Sequence, residues 1–119
     1  MQLTSEFAKD FADEWISAWN AHDLNRIMKL YASDIVFHSA GISIVMQDDK
    51  SSVKGTTALT EYWRRALELL PELRFQFKDL LIGSDVLTIM FSDDRGQSVA
   101  ETFIFNDNGL VYLSLSAKR

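Results

Sequence analysis

The chain of 119 residues has no cysteine, only one proline and two histidines. Without cysteine it can form neither disulfides nor zinc–thiolate sites, and it has no thiol nucleophile. His22 and His38 are too far apart in sequence to form a recognisable metal motif, and the common phosphate-loop, dinucleotide, metalloprotease and serine-hydrolase motifs do not occur. We therefore expect neither a metal nor another cofactor.

Positive charge is also scarce, since 12 lysines and arginines stand against 17 aspartates and glutamates and leave a net charge of −5. Such a chain repels nucleic-acid phosphates and anionic membrane surfaces, and no cluster of basic residues offsets this. No apolar run is long enough to span a bilayer, and the acidic, amphipathic start differs from a secretion signal. These features predict a cytoplasmic protein with neither a nucleic-acid nor a membrane partner.

Hydrophobic residues, in contrast, make up 47% of the chain and include three Trp and eight Phe. We expect a single domain, 1–119, which at this size buries roughly two thirds of its unfolded surface. Apolar residues recur at helical spacing in three segments, which predicts helices over 7–19, 24–31 and 57–70. Pro71 ends the last of them.

The remaining segments have the character of strands. A β-like segment covers 34–39, and a second apolar piece, 42–46, leads into a polar loop at 47–52. Further on, apolar segments alternate with turns that contain Gly with Asp, Asn or Ser, which predicts a four-stranded antiparallel meander. Its strands are expected at 73–82, 86–92, 97–106 and 110–117. Helices followed by antiparallel strands indicate the α+β class.

The last predicted strand carries no charge on either side. Its two sets of alternating residues are Val111, Leu113 and Leu115 on one side, and Tyr112, Ser114 and Ser116 on the other. A sheet with two uncharged faces needs two covers, and three helices can cover only one. We therefore expect a partner subunit on the other face, which predicts a homodimer.

The stretch 98–105, SVAETFIF, places one carboxylate among apolar neighbours. Strand alternation puts Glu101 on the same side as Val99, Phe103 and Phe105. A glutamate usually faces solvent, but these neighbours favour a carboxyl group inside a pocket. Burial there disfavours the charged form and raises the pKa, so Glu101 could donate or exchange a proton near neutral pH.

Three stretches, in this order along the chain, resemble the SnoaL-like and ketosteroid isomerase-like group of the nuclear transport factor 2-like superfamily. They are WISAWNAHDLNRIMKLYASDIVFHSAG, VKGTTALTEYWRRALE and ETFIFNDNGLVYL. The resemblance implies a cone-shaped, curved, mostly antiparallel sheet wrapped by three helices around an apolar pocket (a cystatin-like roll), most often in a homodimer. It does not settle function, because members include isomerases, cyclases, dehydratases, epoxide hydrolases and non-catalytic binding or association domains.

By this resemblance, Glu101 matches a protonated Asp that donates to the developing oxyanion in ketosteroid isomerases. The oxyanion Tyr of those enzymes falls at Trp15, whose indole N–H can donate a hydrogen bond but cannot usefully exchange a proton. Their general-base Asp falls at Ser39, which is not a base at its ordinary pKa. The resemblance therefore does not support ketosteroid isomerisation by the family mechanism.

His38 is the other candidate for proton transfer, because the pKa of histidine lies near neutral pH. Alternation puts His38 and Ser39 on opposite sides of their strand, and the sequence leaves open which of them faces the pocket. His22 stands where relatives have Gly after the first helix. A structural role in left-handed backbone geometry is favoured for it, since histidine tolerates that geometry better than most residues.

The leading hypothesis is a cofactor-free acid–base enzyme of isomerase, cyclase or hydrolase type that acts on a small hydrophobic carbonyl or cyclic compound through Glu101 and His38. Aromatic residues at helical spacing more often pack in the hydrophobic core than contact a ligand. In such a cone, however, the inner wall both belongs to the core and lines the pocket. The alternative is a non-catalytic small-ligand-binding or dimerisation module. In either case the expected ligand-binding residues are Trp15, Trp19, Tyr31, Ser39, Trp63, Phe103 and Tyr112.

Overall fold

In the structure, a computed structural model that describes residues 2–119, four helices precede or interrupt the strands of one sheet. The helices are α1 (Ser5–Asn20), α2 (Leu24–Met28), α3 (Gly41–Met46) and α4 (Thr56–Leu69). The strands are β1 (Tyr31–His38), β2 (Ser52–Lys54), β3 (Gln76–Ile82), β4 (Val86–Ser92), β5 (Ser98–Phe105) and β6 (Val111–Lys118).

The six strands form one curved, open sheet in the order β2-β1-β6-β5-β4-β3. Every neighbouring pair is antiparallel except β1 and β6, which run parallel. The α+β prediction with a mostly antiparallel sheet is therefore confirmed. Within the described residues, no helix is both long and apolar enough to cross a membrane.

Helix α1 covers the inner face of the sheet with an aromatic stripe. The Thr4 side chain caps its start by accepting a hydrogen bond from the backbone N–H of Phe7 at 3.0 Å, so one of the free donors of the first turn is satisfied. Phe11 and Trp15, one helical turn apart, both contact Phe103 of β5 edge-to-face at ring-centroid distances of 5.0 and 5.3 Å.

The end of α1 fixes the segment that leads into β3. His22 has a φ of +54°, which confirms its predicted left-handed geometry, and its Nε2 donates to the carbonyl of Leu73 at 2.8 Å. The Asn20 side chain makes two hydrogen bonds to the backbone of Phe75, at 2.7 and 3.0 Å. These contacts hold residues 73–75 against α1, so β3 begins at Gln76 rather than at the predicted residue 73.

The structure has one helix more than the three that were predicted. Residues 42–46, expected only as an apolar piece, belong to α3, whose start is fixed by a hydrogen bond from the backbone N–H of Gly41 to Ser39 Oγ. Periodicity cannot distinguish helix from strand in so short an apolar run, and tertiary packing of the buried Ile42 decides the outcome. Residues 52–54 form β2, where a loop was predicted to reach residue 52.

An irregularity between β5 and β6 changes which side chains of β6 point inward. Phe105 pairs with Val111, but the preceding residue of β5 pairs with the residue two positions further along β6, so Tyr112 has no partner. A bulge of this kind interrupts strand alternation. As a result, Val111 and Ser114 are both fully buried, whereas Tyr112 is 38% exposed.

Candidate functional site

A cavity of about 310 Å³ lies between helices α1, α3 and α4 and the inner face of the sheet. All three tryptophans of the chain line it, together with Phe75 and Phe91. The rings of Trp19 and Trp63 are 83° apart in plane angle with their centroids 5.0 Å apart, and the ring centroids of Phe75 and Phe91 are 4.4 Å apart. Aromatic contacts of this kind fix the rings relative to one another, so the wall of the cavity is preformed.

Glu101 brings a carboxyl group to this aromatic wall. Residues 99, 101, 103 and 105 of β5 are all buried, which confirms the alternation predicted for this strand. The Glu101 side chain lines the cavity and is only 5% exposed. Its Oε2 has no hydrogen-bond partner, although buried polar atoms in proteins almost always have one.

Burial raises the pKa of Glu101 from 4.5 to about 8, because the charged form loses its hydration. The Ser116 hydroxyl, the positive charge of Lys118 and, more weakly, the Ser114 hydroxyl lower the pKa and offset part of this effect. With a pKa of about 8, the carboxyl group is mostly protonated at pH 7 and able to donate a hydrogen bond or a proton.

A second polar part of the wall is formed by Ser39, Gly41 and Tyr62, all of which line the cavity. Ser39 is buried just beyond the end of β1, and its hydrogen bond with the Tyr62 hydroxyl partly offsets the burial that raises the pKa of Tyr62. A Cβ at residue 41 would lie 2.8 Å from the Tyr62 hydroxyl oxygen, so glycine lets this ring approach the backbone. Tyr62 stays protonated near neutral pH and can donate a hydrogen bond, but it cannot act as a base.

The two indole groups of α1 differ in the use of their N–H. Trp15 Nε1 donates to the Tyr31 hydroxyl at 3.0 Å, so this donor is already occupied inside the protein. The hydrogen bond lowers the pKa of Tyr31, but burial first and the charge of Glu101 second raise it well above its ordinary value. Trp19 also lines the cavity, and its buried Nε1 has no hydrogen-bond partner. The free indole donor is therefore that of Trp19, rather than that of Trp15 as the resemblance implies.

His38 and Tyr112 are not brought to the cavity. His38 is exposed at the end of β1, whereas the next residue, Ser39, is buried and lines the wall, as strand alternation requires. Tyr112 is turned outward by the bulge in β6. Neither side chain is among the residues that line this cavity. The proton transfer suggested for His38 and the ligand contact suggested for Tyr112 stay predictions from the sequence.

Phe103 and Tyr31 are also absent from the residues that line the cavity, for a different reason. Phe103 is fully buried behind Trp15, and the ring of Tyr31 packs edge-to-face against Trp63 at 5.2 Å. Both are core residues that support the tryptophans of the wall. Of the expected ligand-binding residues, Trp15, Trp19, Ser39 and Trp63 line the cavity.

Three further residues line the cavity that the sequence does not mark as site residues: Tyr62, Ser116 and Lys118. The helical spacing places Tyr62 on the packing face of the third predicted helix, and its position next to the predicted pocket residue Trp63 is the signal that points to the site. Ser116 and Lys118 lie on β6 directly across from Glu101 and Val99. Pairing the last two predicted strands in the correct register would have identified them. Among residues 2–119, no three His, Asp or Glu side chains are grouped so as to hold a metal ion.

This curved six-stranded sheet, with helices on one face and a cavity between them, defines the nuclear transport factor 2-like, cystatin-like class of α+β proteins. Within that class, the model of the SnoaL-like domain family matches residues 12–107. The chain therefore belongs to the SnoaL-like domain family. No curated protein is significantly similar to it in sequence.

Solved structures agree with this assignment. A SnoaL-like protein of unknown function from Burkholderia thailandensis is 32% identical over 98% of both chains, with a TM-score of 0.91. AclR, a proposed hydroxylase from Streptomyces galilaeus, is 20% identical over 98% of this chain and 91% of its own, with a TM-score of 0.75. A proposed ketosteroid isomerase from Kribbella flavida is 13% identical over 96% of this chain and 78% of its own, with a TM-score of 0.75. At such low identity the last two show the fold alone.

Proposed function

We propose that the protein binds a small, mostly apolar compound in the cavity and that Glu101 donates a proton to it or exchanges one with it. The observation that carries this proposal is the Glu101 carboxyl group, which is buried in an aromatic wall with Oε2 unpartnered. Burying a polar group without a partner costs free energy, so a purely structural glutamate would be expected to have both oxygens bonded. A ligand oxygen or hydroxyl would supply the partner.

The chemistry that fits these groups is general acid catalysis on a carbonyl or cyclic compound, of isomerase, cyclase or hydrolase type. A protonated carboxyl group in an apolar site can stabilise an oxyanion as negative charge develops on it. In the described part of the chain, Glu101 Oε2 and Trp19 Nε1 are the buried side-chain atoms without a partner, and both residues line the cavity. Together they would give a ligand oxygen one acidic and one neutral donor.

The second candidate is a binding protein that holds its ligand without turnover. One observation favours it: among the described residues that line the cavity there is no histidine to act as a base opposite Glu101. Ser39 stands where the resemblance places a base, and the acidic pair Asp93 and Asp94 lies with exposed residues in the turn after β4. A domain that serves only for dimerisation would take up no ligand.

Intrinsic fluorescence tests ligand binding directly, because all three tryptophans of the chain line the cavity. We expect titration with one- and two-ring carbonyl compounds to give a saturable change in emission. Trp63→Phe, which keeps an aromatic ring in place, should reduce the amplitude of the change without abolishing binding in calorimetry. If no ring compound alters the emission or releases heat, the domain does not bind small apolar ligands and the proposal fails.

We also propose that the outer face of the sheet joins two copies of the chain. Across β4, β5 and β6, the outward residues on this face carry no charge, and they include Met90 and Leu115, which are 41% and 40% exposed. An uncharged face of this extent is typical of an interface between subunits. A cytoplasmic location and the lack of a nucleic-acid partner stay predictions from charge and composition.

Light scattering at micromolar concentrations should report about twice the chain mass of 13.6 kDa. Met90→Glu places a charge in the middle of the outer face and should shift the protein to a monomer, because an unpaired charge is costly in an interface. Ile44→Glu is the matched control, since Ile44 is 77% exposed but lies at the cavity rather than on the outer face. A wild-type monomer, or a Met90→Glu dimer, would contradict this interface.

A further inference from the structure

The inner side of β6 carries a row of polar side chains, Ser114, Ser116 and Lys118, which alternate with residues that point outward. Ser114 is fully buried, whereas Ser116 and Lys118 line the cavity and Lys118 is exposed. The register places Ser116 beside Glu101 and Lys118 beside Val99. One edge of an otherwise aromatic cavity is therefore polar. It runs from the Glu101 carboxyl group inside, whose Oε2 has no partner, to the Lys118 ammonium group at the mouth.

The positive charge of Lys118 lowers the pKa of Glu101 but is not paired with any group of the described chain. In residues 2–119 its ammonium group takes part in no ion pair within 4.0 Å and in no side-chain hydrogen bond. Glu101 does not neutralise it at pH 7, because burial keeps that carboxyl group protonated. The ammonium group is thus a free positive charge on the wall of the cavity.

Three other charged residues line the mouth, in the turn after β4, and two of them are paired with each other. Asp93 Oδ1 accepts hydrogen bonds from the backbone N–H groups of Arg95 and Gln97, each at 2.9 Å. Asp93 Oδ2 lies 3.6 Å from the Arg95 guanidinium group. Asp94 is exposed and, within the described chain, makes no ion pair. The unpaired charges at the mouth are therefore Lys118 and Asp94, and Lys118 is the one that lies in line with Glu101.

We infer that the ligand of this cavity is an organic anion: a one- or two-ring acid whose carboxylate, or an equivalent charged oxygen, pairs with Lys118 while an uncharged carbonyl or hydroxyl oxygen meets Glu101. This inference rests on the proposed function and adds the charge of the ligand to it. The cavity of about 310 Å³ is at the lower end of the range of small-molecule sites, roughly 300–1,000 Å³, which sets the ring number.

The strand also sets the distance between the two polar groups of the ligand. Residues two apart on a strand are separated by roughly 6.5–7 Å, and this is the spacing from Ser116, beside Glu101, to Lys118. The lysine stem is flexible and extends the reach beyond that value. The ligand should therefore carry its oxygen functions at opposite ends of its ring system, rather than on neighbouring atoms.

The test compares two probes of the same shape, 6-hydroxy-2-naphthoate and the neutral 6-hydroxy-2-naphthamide, by calorimetry at pH 7 and low salt. We expect the wild-type protein to bind the anion about three- to tenfold more tightly, as one partly exposed ion pair allows. Lys118→Gln should remove this preference, because it should weaken binding of the anion and leave binding of the amide unchanged. Salt should likewise weaken binding of the anion and leave the amide unaffected.

Two control variants sharpen the comparison. Lys54→Gln removes an exposed lysine of β2 that does not line the cavity, so it should leave both affinities unchanged. Asp94→Asn removes the unpaired negative charge at the mouth and should strengthen binding of the anion alone.

Equal affinities of the wild-type protein for the two probes, or an equal loss of both in Lys118→Gln, would overturn the inference and leave the proposed function in place. Failure of both probes to bind at millimolar concentration would also overturn it. In that case the fluorescence titrations with neutral ring compounds decide separately whether the cavity binds ligands at all.

Discussion

Glu101→Gln should lower the turnover of any compound that the protein converts by roughly 10²–10⁴-fold, while changing the affinity for that compound little. Glutamine keeps the shape of the side chain and a hydrogen-bond donor, but it cannot transfer a proton. The measurement is product formation by mass spectrometry under single-turnover conditions, with wild-type and variant protein at the same concentration.

Glu61→Gln is the matched control for this comparison, because Glu61 lies on the exposed side of α4, where it is bound by Arg64 and Arg65. It should leave turnover unchanged. If Glu101→Gln proves as active as the wild type, Glu101 is not the proton donor. If neither protein converts a compound that both bind, the non-catalytic binding protein is the correct alternative.

The same substitution should make folding stability less dependent on pH. In the unfolded chain Glu101 loses its proton near pH 4.5, whereas in the folded protein it keeps the proton up to about pH 8. A folded-state pKa above the unfolded value means that the unfolded state releases the proton first, so this group favours unfolding increasingly as the pH rises from 4.5 to 8. The contribution is absent below pH 4.5 and complete above pH 8.

Glutamine never ionises, so Glu101→Gln should match the wild type in stability at pH 4 and exceed it at pH 8.5. Two pKa values as far apart as 4.5 and about 8 correspond to a free energy on the order of 3–5 kcal/mol. This is the amount by which the free energy of unfolding of Glu101→Gln should exceed that of the wild type at pH 8.5. Urea unfolding of both proteins across this pH range measures it. Glu61→Gln provides a control of opposite sign, because Arg64 and Arg65 lower the pKa of Glu61 to about 2. The stabilising effect of Glu61 is therefore complete above about pH 4.5 and is lost only as the pH falls toward 2. A constant difference between Glu101→Gln and wild type at all pH values would contradict the prediction.

Much of the fold could be predicted because its signals are local. The helical spacing of Leu59, Tyr62 and Trp63 identifies α4, and turns containing Gly with Asp, Asn or Ser separate the strands of the meander. Strand alternation alone was enough to place Glu101 on the inner face of β5. This success has a simple cause, since β5 is regular over the residues that bring Glu101 to the cavity.

The parts that could not be predicted depend on contacts between distant segments. The bulge at Tyr112 arises from the pairing of β6 with β5, and it turns Tyr112 outward and Ser114 inward against simple alternation. The strand predicted from the sequence ends at residue 117, whereas β6 continues to Lys118, so the strand pattern does not assign Lys118 to the sheet. Nothing in the local sequence shows that Trp15 gives its N–H to Tyr31, 16 positions away.

Whether Ser39 or His38 faces the cavity was undecided in the sequence for a related reason. Strand alternation places Ser39 and His38 on opposite sides of the sheet. Which of the two sides faces the cavity depends on where the helices pack, and the local sequence does not show this. In the structure, Ser39 contacts the start of α3 through Gly41, and this contact places it on the inner side.

The central claim is that Glu101 is a buried carboxyl group that stays protonated at neutral pH and faces a ligand cavity. Carboxyl-carbon NMR of protein labelled at glutamate side chains, with the Glu101 resonance assigned by its loss in Glu101→Gln, measures this directly. We expect Glu101 to titrate near pH 8 and its resonance to shift when a ring compound binds. A titration midpoint near the ordinary value of about 4.3, with no response to any ligand, would contradict the claim.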